Sequence, residues 1–190
     1  MTRIIGGIAG GRRLAVPPRG TRPTSDRVRE ALFNSLDHQI GEWQTCRVLD
    51  LYAGSGALGL EAASRGAEHV LMVEQAAAAV AVIKSNIEAV GLGTARVHSG
   101  EVSRLSASSP PAVAKAPYSL VLLDPPYDVA APAVGRVLTG LVTHDWLEPD
   151  ALVVVERAAR DSWAWPEGFT AIRERRYGDT ALWLGERASA

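Results

Sequence analysis

The chain has 190 residues, 47% hydrophobic and 22% charged, which suits one folded domain with a sizeable core rather than a disordered segment. Its apolar runs fall short of the roughly 20 residues that span a bilayer, its N-terminus carries Arg3 but lacks the apolar stretch of a secretion signal, and a single Cys46 excludes a disulfide framework. The histidines (His38, His69, His98 and His144) have no helical i, i+4 pair, so a cytoplasmic protein without a metal is expected.

The net charge of −1 is unevenly spread. Residues 1–30 hold seven arginines against Asp26 and Glu30, whereas the remaining 160 residues hold thirteen bases and nineteen acids. A basic arm of this kind suits nucleic acid, or is a solvated arm with no partner. Gly6-Gly7, Gly10-Gly11, Pro17-Pro18, Gly20 and Pro23 argue against a long helix over residues 1–23. Arg3-Ile4-Ile5 and Arg13-Leu14-Ala15-Val16 could form a short hairpin. That would present Arg12, Arg13, Arg19 and Arg22, with Arg3, to phosphates.

Thr24 or Ser25 can cap a helix from Asp26 to about Leu36, with Val28, Ala31, Leu32, Ser35 and Leu36 as its buried stripe. Arg27, Glu30 and Asn34 lie on another face. They contact cofactor, RNA or only each other, with Arg27 and Glu30 spaced for an i, i+3 pair. Arg47–Leu51 reads as the first core strand. It is followed by Gly54-Ser55-Gly56-Ala57-Leu58-Gly59 and a helix to about Ser64. This glycine spacing, between strand and helix, predicts a ligand-binding turn. Gly54 permits the bend, Gly56 lets a ligand approach the backbone, and Gly59 allows close helix–strand packing. A second strand, His69–Val73, ends at Glu74, about 20 residues after the glycines, where an acid binds ribose hydroxyls.

Ala76–Ala89 is an alanine-rich helix with Val80, Ile83, Ile87 and Val90 inward, stopped by Gly91. Thr94–His98 is the third strand. Glu101 after it could accept from an adenine amino group or open a helix near Val102–Leu105. Ser106–Ala116 reads as a mobile loop. The apolar run Ser119–Leu123 is a buried parallel strand that ends at Asp124-Pro125-Pro126-Tyr127. The prolines cannot continue the ladder, so the chain leaves the sheet at the strand's C-terminal edge, where open α/β sheets bind ligands. Asp124 and the Pro125 carbonyl can accept from a planar amine while Tyr127 stacks on its face; the plainer reading is a strand-to-loop turn with a capping Asp. A helix over about Ala130–Leu141, a strand Ala151–Glu156 and a terminal hairpin (Phe169–Arg176, Thr180–Glu186, turning at Gly178-Asp179) complete the order. The repeated β-α order predicts a mostly parallel sheet with an antiparallel edge.

Two sites thus share one sheet edge. Asp50 places a carboxylate where a dinucleotide's pyrophosphate would be unwelcome and an ammonium welcome, which favours S-adenosylmethionine over a dinucleotide. Asp50-Leu51-Tyr52-Ala53-Gly54-Ser55-Gly56 with Asp124-Pro125-Pro126-Tyr127 resembles the class I S-adenosylmethionine-dependent methyltransferases that act on exocyclic amino nitrogens. Arg3-Ile4-Ile5-Gly6-Gly7, Gly11-Arg12-Arg13-Leu14, the block Thr21–Asn34, and Tyr177-Gly178-Asp179-Thr180 resemble the bacterial 16S ribosomal RNA (guanine-N2)-methyltransferase D family over nearly the whole chain. The Asp-Pro-Pro-Tyr box is shared with DNA adenine methylases; the arginine block is far more specific.

The resemblance implies a Rossmann-like α/β fold, a seven-stranded sheet of order 3-2-1-4-5-7-6, with helices on both faces. It sets an N-terminal hairpin extension (1–23) before a methyltransferase domain (24–190). It implies methylation of a guanine N2 in 16S rRNA on an assembled or late-assembling small subunit, by a monomer. The expected cofactor set is Asp50, Tyr52, Ala53, Gly54, Gly56, Glu74, Glu101, Val102 and Thr24; the catalytic set is Asp124, Pro125, Pro126 and Tyr127. A DNA or RNA adenine methyltransferase remains an alternative, although there is no room for a target-recognition insert. A glutamine methylase would usually carry Asn in place of Asp124. A non-enzymatic RNA-binding or assembly protein on the same scaffold is the rival of a different class.

Overall fold

A computed structural model describes residues 2–17 and 25–189. Thr24, Arg19 and Arg22, expected to hold cofactor and RNA, lie outside the described residues. The elements run β1 (Thr2–Arg3), β2 (Arg13–Leu14), α1 (Asp26–Ile40), β3 (Arg47–Leu51), α2 (Ala57–Arg65), β4 (His69–Glu74), α3 (Ala77–Val90), β5 (Ala95–Ser99), α4 (Val102–Ser106), β6 (Tyr118–Leu123), α5 (Ala131–Thr143), β7 (Leu147–Ala158), β8 (Phe169–Tyr177) and β9 (Thr180–Arg187). β1 and β2 pair as a small antiparallel ribbon, and the other strands form one sheet in the order β5-β4-β3-β6-β7-β9-β8. Counted within that sheet, this is the expected 3-2-1-4-5-7-6. The pairs from β5 to β7 are parallel, and β9 runs antiparallel to both β7 and β8.

The strands are apolar on both faces because helices cover both. Val48, Leu120, Leu122 and Val154 pack with Leu32 of α1, Leu60 of α2 and Ile83 of α3. Their neighbours Leu49, Leu51, Val121 and Val153 pack on the opposite face with Val134, Leu138 and Leu141 of α5. Because β3, β4 and β6 are parallel, their C-terminal ends, Leu51, Glu74 and Leu123, reach one edge together.

Several boundaries differ from the sequence reading. α1 extends to Ile40, and its buried face includes Arg29 and Phe33, whereas Ala31 and Ser35 are only half-buried. Ser25 is the cap, its side chain accepting from the Val28 N–H. The ion pair along this helix joins Arg29 to Asp26 at 2.9 Å; no bridge joins Arg27 to Glu30 among the described residues. β7 begins at Leu147, four residues before Ala151, because Leu147 pairs with Tyr118 ahead of a register shift. Within the expected Ser106–Ala116 loop lies a 3₁₀ turn, Ala112–Ala114, whose Ala114 is buried and accepts from the Tyr118 hydroxyl.

The arm strands are shorter than expected, and the intervening backbone bonds to α2 as well as to itself. The Ile5 and Gly6 amides donate to the two oxygens of buried Glu61, at 2.6 and 2.8 Å. The Ile8 amide donates to the Ser64 carbonyl and the Ala9 amide to Ser64 Oγ. Gly7 makes this approach possible: at φ +75°, a Cβ there would sit 1.9 Å from the Ser64 carbonyl oxygen.

Close approach also decides Gly59 on α2. A Cβ there would lie 2.6 Å from Met72 Cγ and 2.9 Å from Asp50 Oδ2. We expect Gly59→Ala to destabilise the protein by about 1–3 kcal/mol, through overpacking. Gly93→Ala, which meets open space at an ordinary φ, should change stability by less than about 1 kcal/mol. Urea denaturation of both variants checks this; equal midpoints would contradict the packing argument.

Candidate active site

A cavity of about 620 Å³ opens at the edge where β3, β4 and β6 end. Asp50, the penultimate residue of β3, lines it and is only 1% exposed. Its Oδ2 accepts from the Gly59 amide at 2.9 Å. Its Oδ1 is buried without a hydrogen-bond partner among the described residues. Burial raises the carboxyl pKa to about 7, a rise opposed by the Gly59 amide and reinforced by Glu74.

The chain then turns sharply. Tyr52 holds φ +62°, unusual for a side-chain-bearing residue, before Gly54 at +57° and Gly56 at +78°. The Gly56 amide donates to the Ala53 carbonyl at 2.7 Å, closing the turn ahead of α2. Glu74 fastens the turn from β4: one carboxylate oxygen accepts from the Gly54 amide at 2.9 Å, the other from the Ala76 amide at 2.8 Å. Tyr52, Ala53, Gly54 and Glu74 all line the cavity. Gly56 does not: its Cα backs onto Met72 Sδ, 2.9 Å from where a Cβ would stand, so packing and left-handed backbone account for this glycine.

Glu101 and Val102 line the end of the cavity that follows β5. Glu101 sits at the start of α4 and pairs with Arg104 at 3.2 Å, while its carboxylate also accepts from Ser103. The opposite wall holds Asp124 and Pro126 with Val129 and Ala133. Asp124 stays beside β3, its amide donating to the Leu51 carbonyl. Pro125 is buried and lies off the cavity wall, and the Tyr127 ring is 58% exposed outside it. The predicted cofactor residues Asp50, Tyr52, Ala53, Gly54, Glu74, Glu101 and Val102 therefore share one chamber with Asp124 and Pro126.

The arm's arginines are dispersed. Arg12 donates from Nη1 to the Ala89 and Val90 carbonyls, capping the C-terminus of α3. Arg3 stands 3.6 Å from Asp26, and Arg13 is exposed. Arg29 is fully buried, lines the cavity, and donates to Thr2 Oγ1, Asp26 and the Arg3 carbonyl.

Sequence reasoning missed four residues. Val16 and Pro17 of the arm form part of the cavity wall. Arg157, buried at the end of β7, donates from Nη1 to the Val129 carbonyl at 2.6 Å and pairs with Asp161 at 2.9 Å, so it holds the far end of the Asp124 loop. Asn86 is the polar residue among the buried positions of α3.

The chain is similar to known proteins over nearly its whole length. A family model described as "Conserved hypothetical protein 95" matches residues 2–186. Ribosomal RNA small subunit methyltransferase D of Escherichia coli K12 is 37% identical over 188 residues, covering 97% of this chain and 89% of that protein. The protein of the same name from Haemophilus influenzae is 34% identical over 179 residues, covering 93% and 89%. The solved structure of the Escherichia coli protein yhhF, described as a candidate methyltransferase, superposes with a TM-score of 0.85 at 34% identity, covering 100% and 99%. The chain belongs to the ribosomal RNA small subunit methyltransferase D family. It has a methyltransferase fold, shared with the yhhF structure. No helix among the described residues is long and apolar enough to cross a membrane, and no cluster there could hold a metal ion.

The raised Asp50 pKa has a stability consequence. Between pH 3.8 and about 7 the folded chain keeps a proton that the unfolded chain has released, so this group's contribution to stability falls as pH rises through that window. Asp50→Asn removes the slope. Its melting temperature relative to wild type should rise from about pH 4 to about pH 8. A difference that stays constant over that range would refute the shift.

Proposed function

We propose that this chain methylates the exocyclic N2 of a specific guanine in 16S rRNA, on an assembled or late-assembling small ribosomal subunit. The observation that carries the reading is the single chamber joining Asp50 and Glu74 to Asp124. A cofactor and an amino-group acceptor bound there would meet directly, as methyl transfer requires.

The residues fit S-adenosylmethionine. Asp50 Oδ1, buried and without a partner among the described residues, suits the methionine ammonium. Each oxygen of Glu74 accepts one amide and keeps capacity for the ribose hydroxyls. Glu101 and Val102 line the end assigned to adenine, and Ala53 and Gly54 offer backbone between the two. When bound, the cofactor supplies an activated methyl group. Asp124 orients the amino nitrogen and offsets the positive charge that develops on it. Pro126 shapes the wall, and the exposed Tyr127 ring stacks on the target base, which has left its own stack or lies in an open loop. Arg3, Arg13, Arg19 and Arg22 meet phosphates, with Arg12 contributing only what its helix-capping role leaves over. The relatives' names support rRNA as the substrate.

Radiolabelled methyl transfer to small subunits lacking the modification, beside naked 16S rRNA and DNA, tests this reading once the labelled base is mapped. Label on a guanine N2 of the subunit is expected; label on adenine or on DNA would replace the substrate assignment. In the same assay Asp124→Ala should lower turnover by about 100-fold or more while cofactor affinity stays within about threefold. Turnover within about twofold of wild type would sink the role of Asp124. Protonation of Asp50 should weaken cofactor binding as pH falls below about 7, and Asp50→Asn should flatten that dependence. Calorimetric titration across that range measures both.

A further inference from the structure

Asn86 lies on the inward face of α3, 3% exposed, and its side chain joins α3 to two separate segments. Its Oδ1 accepts from the Ala15 amide at 2.9 Å. Its Nδ2 donates to the Ala15 carbonyl at 3.0 Å and to the Ser55 carbonyl at 2.9 Å. Ala15 is 71 positions away and belongs to the arm; Ser55 is 31 positions away and belongs to the glycine turn. By engaging both the N–H and the C=O of one residue, the amide does for Ala15 what a neighbouring strand would do.

The placement matters because of what adjoins Ala15. Upstream are Arg12 and Arg13. Downstream are Val16 and Pro17, which form part of the cavity wall with Ser55. A ligand filling the chamber packs against Val16, Pro17 and the glycine turn, and so favours the arm position that Asn86 fixes. RNA gripping Arg13 favours the same position from outside. Burial alone would explain an apolar residue here equally well. A side chain with two donors and an acceptor, all spent on bridging the arm to the turn, is explained by holding those two in register.

We infer that Asn86 is a positioning residue that couples the arm to the cofactor turn, so that cofactor and RNA bind with positive cooperativity. The inference rests on the proposed function for the identity of the RNA. Linkage requires the effect to be reciprocal: whatever factor the cofactor adds to RNA affinity, RNA adds to cofactor affinity.

The probes are S-adenosylhomocysteine and unmodified small subunits. For the wild-type chain, saturating S-adenosylhomocysteine should tighten subunit binding by about 5- to 150-fold, the usual range of such coupling. In Asn86→Ala and Asn86→Asp the factor should fall below about twofold, even where each ligand alone still binds. Asn86→Asp keeps the acceptor for the Ala15 amide but sets a carboxylate against two carbonyls, so it separates bridging from simple loss of volume. Should both variants fold poorly, hydrogen exchange on the wild type decides: the Ala15 amide should exchange more slowly once S-adenosylhomocysteine is bound. Unchanged exchange at Ala15, or a wild-type coupling factor near one, would overturn the inference. Failure to label guanine N2 would instead overturn the substrate assignment, and the exchange measurement stands independently of it.

Discussion

A buried carboxylate at the end of β3 sets the geometry of everything around the cavity. Asp50 is removed from water, and a fixed amide, that of Gly59, meets one of its oxygens. For that amide to arrive, α2 must approach β3 so closely that residue 59 cannot carry a side chain. The close approach also turns the N-terminus of α2 toward the cavity, and the chain between Asp50 and α2 has to reverse within a few residues. Tyr52, Gly54 and Gly56 provide the reversal with three left-handed conformations. Glu74 then ties the turn to the neighbouring strand through the Gly54 amide. The turn is therefore held by two acids, of which one is fully desolvated.

A second buried acid has a comparable effect on the arm. Glu61 of α2 accepts from two consecutive arm amides and pairs with Arg65 at 3.0 Å, while Arg29 Nε stands 4.0 Å away. Such a buried ionic group contributes little net stability relative to an apolar replacement. Its effect is to specify one position of the arm, since the arm's amides, with Arg65, are what satisfy Glu61. The same helix that follows the glycine turn thus carries the arm's anchor one turn further on.

Much of this architecture could be read from the residue pattern. Strand cores and helix order followed from apolar runs and glycine stops, because parallel strands covered on both faces leave long apolar stretches such as Val121–Leu123. The edge that holds Asp50, Glu74 and Asp124 followed from where those runs end. What the pattern could not show was long-range polar pairing. Glu61 reads as an exposed acid on a helix, Arg29 as one more charge in a basic arm, and Asn86 as a blemish in an apolar stripe; all three are buried because of partners 26 to 71 positions away. Gly56 illustrates the converse. Its place in the motif suggested a ligand, and its neighbours are Met72 and Ile83.

The arm's charge has to be interpreted with these contacts in hand. Seven arginines in thirty residues look like a phosphate-binding surface, but several of the described ones are turned toward the protein. Arg29 lines the cavity, Arg12 caps α3, and Arg3 stands beside Asp26. Part of the basic character therefore fixes the arm onto α1 and α3 instead of waiting in solvent. That arrangement makes the arm a wall of the cavity as well as an outward-facing basic surface, through Val16 and Pro17 on one side and Arg13 on the other. An arm built in this way cannot move without altering the cavity that Val16 and Pro17 line.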